Sequence, residues 1–419
     1  MIVPARFSPD TQQRISFPDA RRVMLARTPA LPAERVPLLD ACGRVCAETL
    51  RATDDIVPFA RSAMDGYALR AGDTRAASQA APLLMRVSQA TFAGDVPPPL
   101  DPETAMAITT GGMLPDGADA VVPFEDIRRD GDTIALHEPL ARLDHVFEAG
   151  DDAKRGEVLL RAGDVVTPGR AALLAAAGHG AIAVLRRPRL AIVSTGNELV
   201  GIDVVPKRGQ IRNSNATMLA ASARRDGADV VFIEHARDAE PPLRETLERA
   251  LALADLVITT GGASTGERDL VKRTLRSLEA DFAFDSIAVR PAKPTGFASC
   301  RGRLVAVLPG NPAAAYVAYV SLVRGVVRAL AGHERPFPPS IQATLRGRLH
   351  RKDRRHFLMF AKVELGEAGF VVYPLENQCS SLVRTSADAN ALVVAEPGSG
   401  YLESGERVPV DVLEPLSLF

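Results

Sequence analysis

The chain has 419 residues, 46% of them hydrophobic and 24% charged, with a formal net charge of -1 at neutral pH. That length holds two or more domains, each large enough to bury a core, and the composition excludes a disordered or fibrous chain. A balance so near neutrality excludes a coat for nucleic acid or anionic membrane, while leaving room for a local basic pocket.

The N-terminal MIVPARFSPDTQQRI has no apolar signal core, and no uncharged apolar run reaches the ~18 residues of a membrane span. The expectation is a cytoplasmic protein with neither membrane nor nucleic-acid partner. Ser16 suits a helix N-cap, with Val23, Met24 and Leu25 among the apolar residues that follow. Pro29, Pro32 and Pro37 break the pattern, and Leu38 to Leu50 makes a short second segment. Cys42 and Cys46 within it read as small core residues; with Cys300 and Cys379 they show no metal-type pairing and require no oxidising compartment.

In DDIVPFARSAMDGYALRAGD, Pro58 opens an irregular stretch and Asp65-Gly66 marks a turn. Asp-Gly turns are routine, so local pattern alone leaves Asp65 a turn residue. LLMRVSQATF, AMAITTGGML, DAVVPFEDI and DTIALHEPL then read as strands at hairpin spacing, forming a small inserted β domain. Thr109-Thr110-Gly111-Gly112 lies inside it, with no long helix after it. TPGRAALLAAAGHGAIAVL gives a helix and then a strand.

From Arg186 strand and helix alternate. PRLAIVSTGNEL, ADVVFIEHARD, DLVITTGG and RLVAVL are strands, and NSNATMLAASARRDG, PPLRETLERALALA and the long run after Pro312 are helices. This predicts a parallel α/β sheet covered by helices. After Pro336, Pro338 and Pro339, the segments LMFAKVEL, GFVVYPL, ALVVAEP and ERVPVDVL read as strands of a last β domain. The fold class is therefore α/β plus β, multidomain. Residues 1–52 with 145–185 form a discontinuous linking domain, 53–144 the insertion, 186–332 the α/β domain and 333–419 the C-terminal β domain.

The organising stretch is ADLVITTGGASTGERDLVK. A short β-branched strand runs into Gly261 and Gly262, and after Glu267 the residues Leu270, Val271, Leu275 and Leu278 fall on one helical face. Gly-Gly lets a ligand approach the backbone, and a helix start offers N–H groups to an anion. An ordinary tight βα turn has the same pattern. Ligands of such sheets bind at the carboxyl ends of strands, which here carry Thr195, Gly196, Glu198, Asp238, Gly261, Gly262, Asp269 and Asn311. Three carboxylates at one rim suit Mg²⁺ with bound phosphate; each, taken alone, is equally a helix-cap acid. Arg290 and Lys293 in AVRPAKP are placed to neutralise an anion, or are two solvated bases in a loop.

Six blocks now stand in order: SAMDGYA, GADAVV, STGNEL, GQIRNSN, TTGGASTGERD and LPGNP. In register they resemble the molybdopterin molybdenumtransferase family of MoeA and the gephyrin E domain, over nearly the whole chain. The resemblance implies a four-domain homodimer that inserts molybdate into adenylated molybdopterin with Mg²⁺, releasing AMP. It further implies the molybdopterin adenylyltransferase as a partner. It makes Asp65, Glu198, Asp238 and Asp269 catalytic, the last three as metal ligands. It assigns substrate contacts to Thr110, Asp152, Thr195, Gly196, Gly261, Gly262, Ser264, Arg290, Lys293, Asn311 and Ser380.

The departures concern bases. Met359 stands where the family has an arginine associated with molybdate, and Ser286 where a second base is expected. Phe147 and Glu148 replace consecutive arginines, Arg290 replaces a lysine, and Ala292 replaces the glycine of Pro-Gly-Lys-Pro. A thioether cannot hydrogen-bond an oxoanion as a guanidinium does, and a contact worth ~1.5–3 kcal/mol changes affinity tenfold or more. Either Arg354, Arg355 or Arg384 substitutes, or the chain is a diverged paralogue that carries or senses molybdopterin without turnover. Adenylyl transfer onto molybdopterin is a third reading, opposed by the extra domains before 186 and after 332.

Overall fold

The structure, a computed structural model, describes residues 14–262, 270–337, 340–353 and 355–414. The chain divides into two compact units: the described parts of 1–34, 43–45 and 184–419 make the first, and 35–42 with 46–183 the second.

Helix α1 (Phe17–Ala26) starts where the sequence places it. Ser16 Oγ accepts from Asp19 N at 3.2 Å, and a proline occupies the first turn. Phe17, Ala20 and Met24, spaced three and four apart, are its buried face. Arg21 is held between the rings of Phe17 and Phe337 at 4.4 and 4.5 Å, and donates to Asp411 at 3.2 Å.

The second unit is built on a six-stranded sheet of β1 (Gly66–Leu69), β2 (Leu83–Thr91), β3 (Thr104–Ile108), β4 (Ala120–Pro123), β5 (Arg128–Asp130) and β6 (Thr133–Leu136), in the order β4-β1-β3-β2-β6-β5. The four expected strands are present, but they are not successive hairpins. β2 and β3 run parallel, and β1 lies between β3 and β4. β1 is four residues long and buried on both faces, so it shows no alternation that a sequence pattern could catch. Helix α2 (Pro168–Ala176) is capped by Thr167, whose Oγ1 accepts from Arg170 N at 3.3 Å.

In the first unit, β7 (Arg189–Thr195), α3 (Ser214–Arg225), β8 (Asp229–Ala236), α4 (Glu240–Leu253), β9 (Leu256–Thr260), α5 (Leu270–Ser277), β10 (Asp281–Phe284), β11 (Gly296–Cys300), β12 (Arg303–Leu308) and α6 (Pro312–Leu330) form the α/β domain. The strand order is β8-β7-β9-β12-β11-β10. The first four are parallel as expected; β11 and β10 add an antiparallel edge that the sequence pattern did not reveal. Strand alternation splits the core. Leu190, Ile192, Leu256 and Ile258 pack with α3 and α6, while Ala191, Val193 and Val257 pack with α4 and α5.

Helix α6 has the length and composition of a membrane span, yet 89% of its apolar window is buried inside the protein, so it is the central core helix. Its Arg324 pairs with Asp226 at 3.2 Å, both side chains 7% exposed, and Tyr319 donates to the same carboxylate at 2.9 Å.

The last strands are β13 (Ile341–Leu345), β14 (Leu349–Asp353), β15 (His356–Gly366), β16 (Gly369–Pro374), β17 (Ala391–Ala395), β18 (Gly398–Leu402) and β19 (Arg407–Val412). β15-β16-β13-β19-β17 pair in that order, and β17 pairs back onto β15, closing a barrel. Met359, Val363, Val372, Val393 and Val410 belong to its core. A two-residue strand, Val289–Arg290, runs parallel to the start of β15 and ties the following loop to this barrel.

Candidate functional site

The carboxyl ends of β7, β9 and β12 make a rim. Thr195 ends β7 and is 3% exposed, and its Oγ1 has no hydrogen-bond partner among the described residues. Thr259 Oγ1 and Asn215 Oδ1 are orphaned in the same way. Buried polar atoms cost free energy when unpaired, so the hydroxyl of Thr195 at the end of β7 is a place where a ligand can donate or accept. The other end of the Asn215 amide is used: Nδ2 donates to Thr260 Oγ1 at 3.1 Å and to Gly310 O at 2.8 Å.

The turns after β7 and β8 are locked together. Asn197 N donates to Asp238 Oδ2, and Asp238 N donates to Asn197 Oδ1, each at 3.2 Å. Glu198 folds its carboxylate over Gly196, with an oxygen 2.6 Å from where a Cβ on that glycine would sit. Glu198 and Asp238, both exposed, thus come from two bracketed turns at one rim. Asp269 and Ser264 lie outside the described residues; among those described, no three acids, histidines or cysteines group closely enough to hold a metal. Gly261 has φ +92°, and a Cβ there would stand 2.2 Å from the Thr195 carbonyl oxygen. Strand-to-strand packing therefore demands this glycine, whatever binds beside it.

The loop Pro309–Asn311 joins the rim to a cavity of about 900 Å³ in the same unit. Arg290, Lys293 and Ser380, expected at an anion site, line it, as do Asn311, expected at a strand end, and Met359. So do Arg346, Arg348, His350 and Arg355, against Glu376 as the single acid among the described lining residues. Arg290 lies over the Phe357 ring at 5.5 Å, which fixes the guanidinium without neutralising it. Burial holds the Lys293 ammonium below its ordinary value, and the charges of Arg14 and Arg355 add to that. Gln378 clamps the Cys379–Ser380 wall: its Oε1 accepts from Phe360 N at 3.0 Å, and its Nε2 donates to Phe360 O at 2.8 Å. Ala292, where the resemblance expects glycine, has φ +77°; an alanine follows the glycine's left-handed path at a strain of roughly 1–2 kcal/mol.

In the second unit Asp65 and Thr110 are brought together. Asp65 Oδ1 accepts from Thr110 N at 2.6 Å and from Thr110 Oγ1 at 2.9 Å, which holds its carboxyl below the usual range. Asp152 is ion-paired with Arg61 at 3.0 Å, and the Arg61 guanidinium lies 5.3 Å from the Phe147 ring.

Three family models match in order: the MoeA N-terminal region, domains I and II, over residues 15–178; the probable molybdopterin-binding domain over 191–329; and the MoeA C-terminal region, domain IV, over 342–413. The chain belongs to the MoeA family. It is 32% identical over 386 residues to the molybdopterin molybdenumtransferase of Staphylococcus aureus Mu50, covering 92% of each chain. The enzyme of that name from Staphylococcus epidermidis is 33% identical over 380 residues. Among solved structures, the molybdopterin biosynthesis MoeA protein of Pyrococcus horikoshii is 31% identical with a TM-score of 0.80, covering 96% of this chain and 100% of its own.

For a MoeA-family chain the unforeseen residues are Arg346, Arg348 and His350. They lie in RGRLHRK, within the C-terminal β domain, a run that carries no motif of its own. Strand alternation does not place them, because the chain leaves β13 at Leu345, bends at Gly347 and re-enters a strand at Leu349. Arg384, the other substitute considered, pairs with Asp388 at 3.2 Å and does not line the cavity. Arg354 lies outside the described residues.

Proposed function

We propose that the chain is a molybdopterin molybdenumtransferase that inserts molybdate into adenylated molybdopterin, releases AMP and depends on Mg²⁺. The observation that carries this reading is a basic cavity that shares one loop with a strand-end rim, where the turns bearing Glu198 and Asp238 are bonded together through Asn197. An oxoanion and an anionic pterin need adjacent sites of those two kinds.

The residues that would hold a hard cation at the rim are Glu198 and Asp238, with Asp269, outside the described residues, as the third ligand the resemblance implies. Glu198 and Asp238 offer exposed carboxylate oxygens from bracketed turns, and the Thr195 hydroxyl at the end of β7 has no partner among the described residues. Bound there, Mg²⁺ would neutralise charge on the substrate's diphosphate. The remaining work falls to the chain's own groups. Thr195 Oγ1 donates to a phosphate oxygen, and Asn215 Oδ1 accepts from the ligand. Arg290, Lys293 and Ser380 hold molybdate until sulfur ligands displace its oxygens. No covalent nucleophile is required, since the gain is positioning and charge complementarity. The carrier reading rested on thinned bases, and the five arginine and lysine side chains lining the cavity remove that ground. We place the protein in the cytoplasm, as a homodimer receiving its substrate from the adenylyltransferase.

The test is to incubate the full-length protein with adenylated molybdopterin, MgCl₂ and molybdate and to quantify AMP by chromatography. AMP release that needs both molybdate and Mg²⁺ is expected; none above background, or release indifferent to molybdate, would refute the assignment.

A further inference from the structure

We propose that Arg346 replaces the arginine expected at position 359, so that Arg290, Lys293 and Arg346 together hold the tetrahedral dianion in the cavity. This rests on the oxoanion reading of that cavity given above. A dianion leaving water needs fixed positive charge and directed N–H donors, and Met359 supplies neither.

The lining bases are not equally available. Arg348 is committed to Glu403 at 2.8 Å and lies over the Tyr401 ring at 3.8 Å. Arg355 already has a partner, and its charge bears on Lys293. The Arg346 side chain lines the cavity and makes no hydrogen bond or ion pair with any described residue. Its backbone is nonetheless fixed. Arg346 N donates to Val372 O at 2.8 Å, and Gly347, at φ +109°, turns the chain so that 346 and 348 both line the cavity. A base held at its root, with its whole fork of donors unspent, is what an oxoanion site requires. Met359, by contrast, is 7% exposed and belongs to the barrel core, which explains why an apolar side chain stands there once the charge comes from across the cavity.

The test measures sodium molybdate binding to the full-length protein by equilibrium dialysis. A second readout is the rate of iodoacetamide alkylation at Cys379, which lines the cavity and is exposed, whereas Cys46 and Cys300 are buried and Cys42 is half-buried. Molybdate should slow Cys379 alkylation in the native protein. Arg346→Gln should weaken molybdate binding about tenfold or more, the scale of one lost charge-assisted contact. Arg346→Lys, which keeps the charge but not the fork, should fall between. Adding Met359→Arg to Arg346→Gln should restore affinity. If Arg346→Gln binds as tightly as the native protein, the assignment of Arg346 is overturned while the oxoanion reading stands. If the native protein neither binds molybdate nor protects Cys379, the oxoanion reading falls and takes this assignment with it.

Discussion

Gly261→Ala tests the reasoning about the strand-end rim most directly. The added Cβ would lie 2.2 Å from the Thr195 carbonyl oxygen and 3.0 Å from Thr195 Oγ1, at a backbone φ of +92°. Both partners are anchored, because β7 and β9 are in parallel register from Leu190 opposite Leu256 to Ser194 opposite Thr260. The strands must part by most of an ångström. A left-handed alanine costs roughly 1–2 kcal/mol and overpacking about 1–3 kcal/mol more, so the loss is ~2–5 kcal/mol. Against a native stability of ~5–15 kcal/mol, that is a large fraction. The urea midpoint should fall, and amide protection of peptides spanning 256–260 should fall with it. If the glycine serves only ligand approach, unfolding and protection stay unchanged while binding at the rim is lost. That result would refute the packing argument.

Two further predictions concern pH. Burial pushes the Asp255 carboxyl up, but the forked Arg186 contacts at 2.8 and 2.9 Å and the Arg189 N–H at 2.8 Å outweigh it, leaving the carboxyl below its ordinary value. Its stabilisation is therefore complete above an unfolded pKa of ~3.9 and is lost as pH falls through the lower folded value. Asp255→Ala should cost about 3 kcal/mol at neutral pH, the low end for a broken buried pair. The urea-midpoint gap should close on acidification; a gap that widens below about pH 4 contradicts the sign. The second concerns Lys293, whose charge is disfavoured by burial and then by Arg14 and Arg355. Molybdate affinity should fall as pH rises through this depressed value, earlier than for an ordinary lysine. Lys293→Arg should move the fall upward, because a guanidinium stays charged. If affinity, read by equilibrium dialysis, falls at no lower pH in the native protein than in Lys293→Arg, Lys293 is removed from the site.

What could be read in advance followed from local physics. Ser16 announced a helix start because capping is settled within four consecutive residues. Strands β7, β8, β9 and β12 were visible because their apolar runs are bounded by glycine and acid turns, and six ordered blocks tied them to a family. Arg290, Lys293 and Ser380, expected together from the resemblance, line one cavity, with Asn311 of the strand-end loop beside them.

The rest depended on distance in space. Strand β1 was hidden because four residues buried on both faces carry no periodicity, and the parallel pairing of β2 with β3 is not written in loop length. The sequence by itself determined the Ser16 cap, the alternation of strand and helix, and the family, because each depends on neighbours along the chain or on motifs in order. Only the tertiary structure decided that Gly261 is required by the Thr195 backbone, that α6 is core rather than membrane, and that Arg346 faces the same cavity as Arg290. The physical reason is that burial and convergence belong to residues dozens to hundreds of positions apart, which no local pattern of side chains encodes.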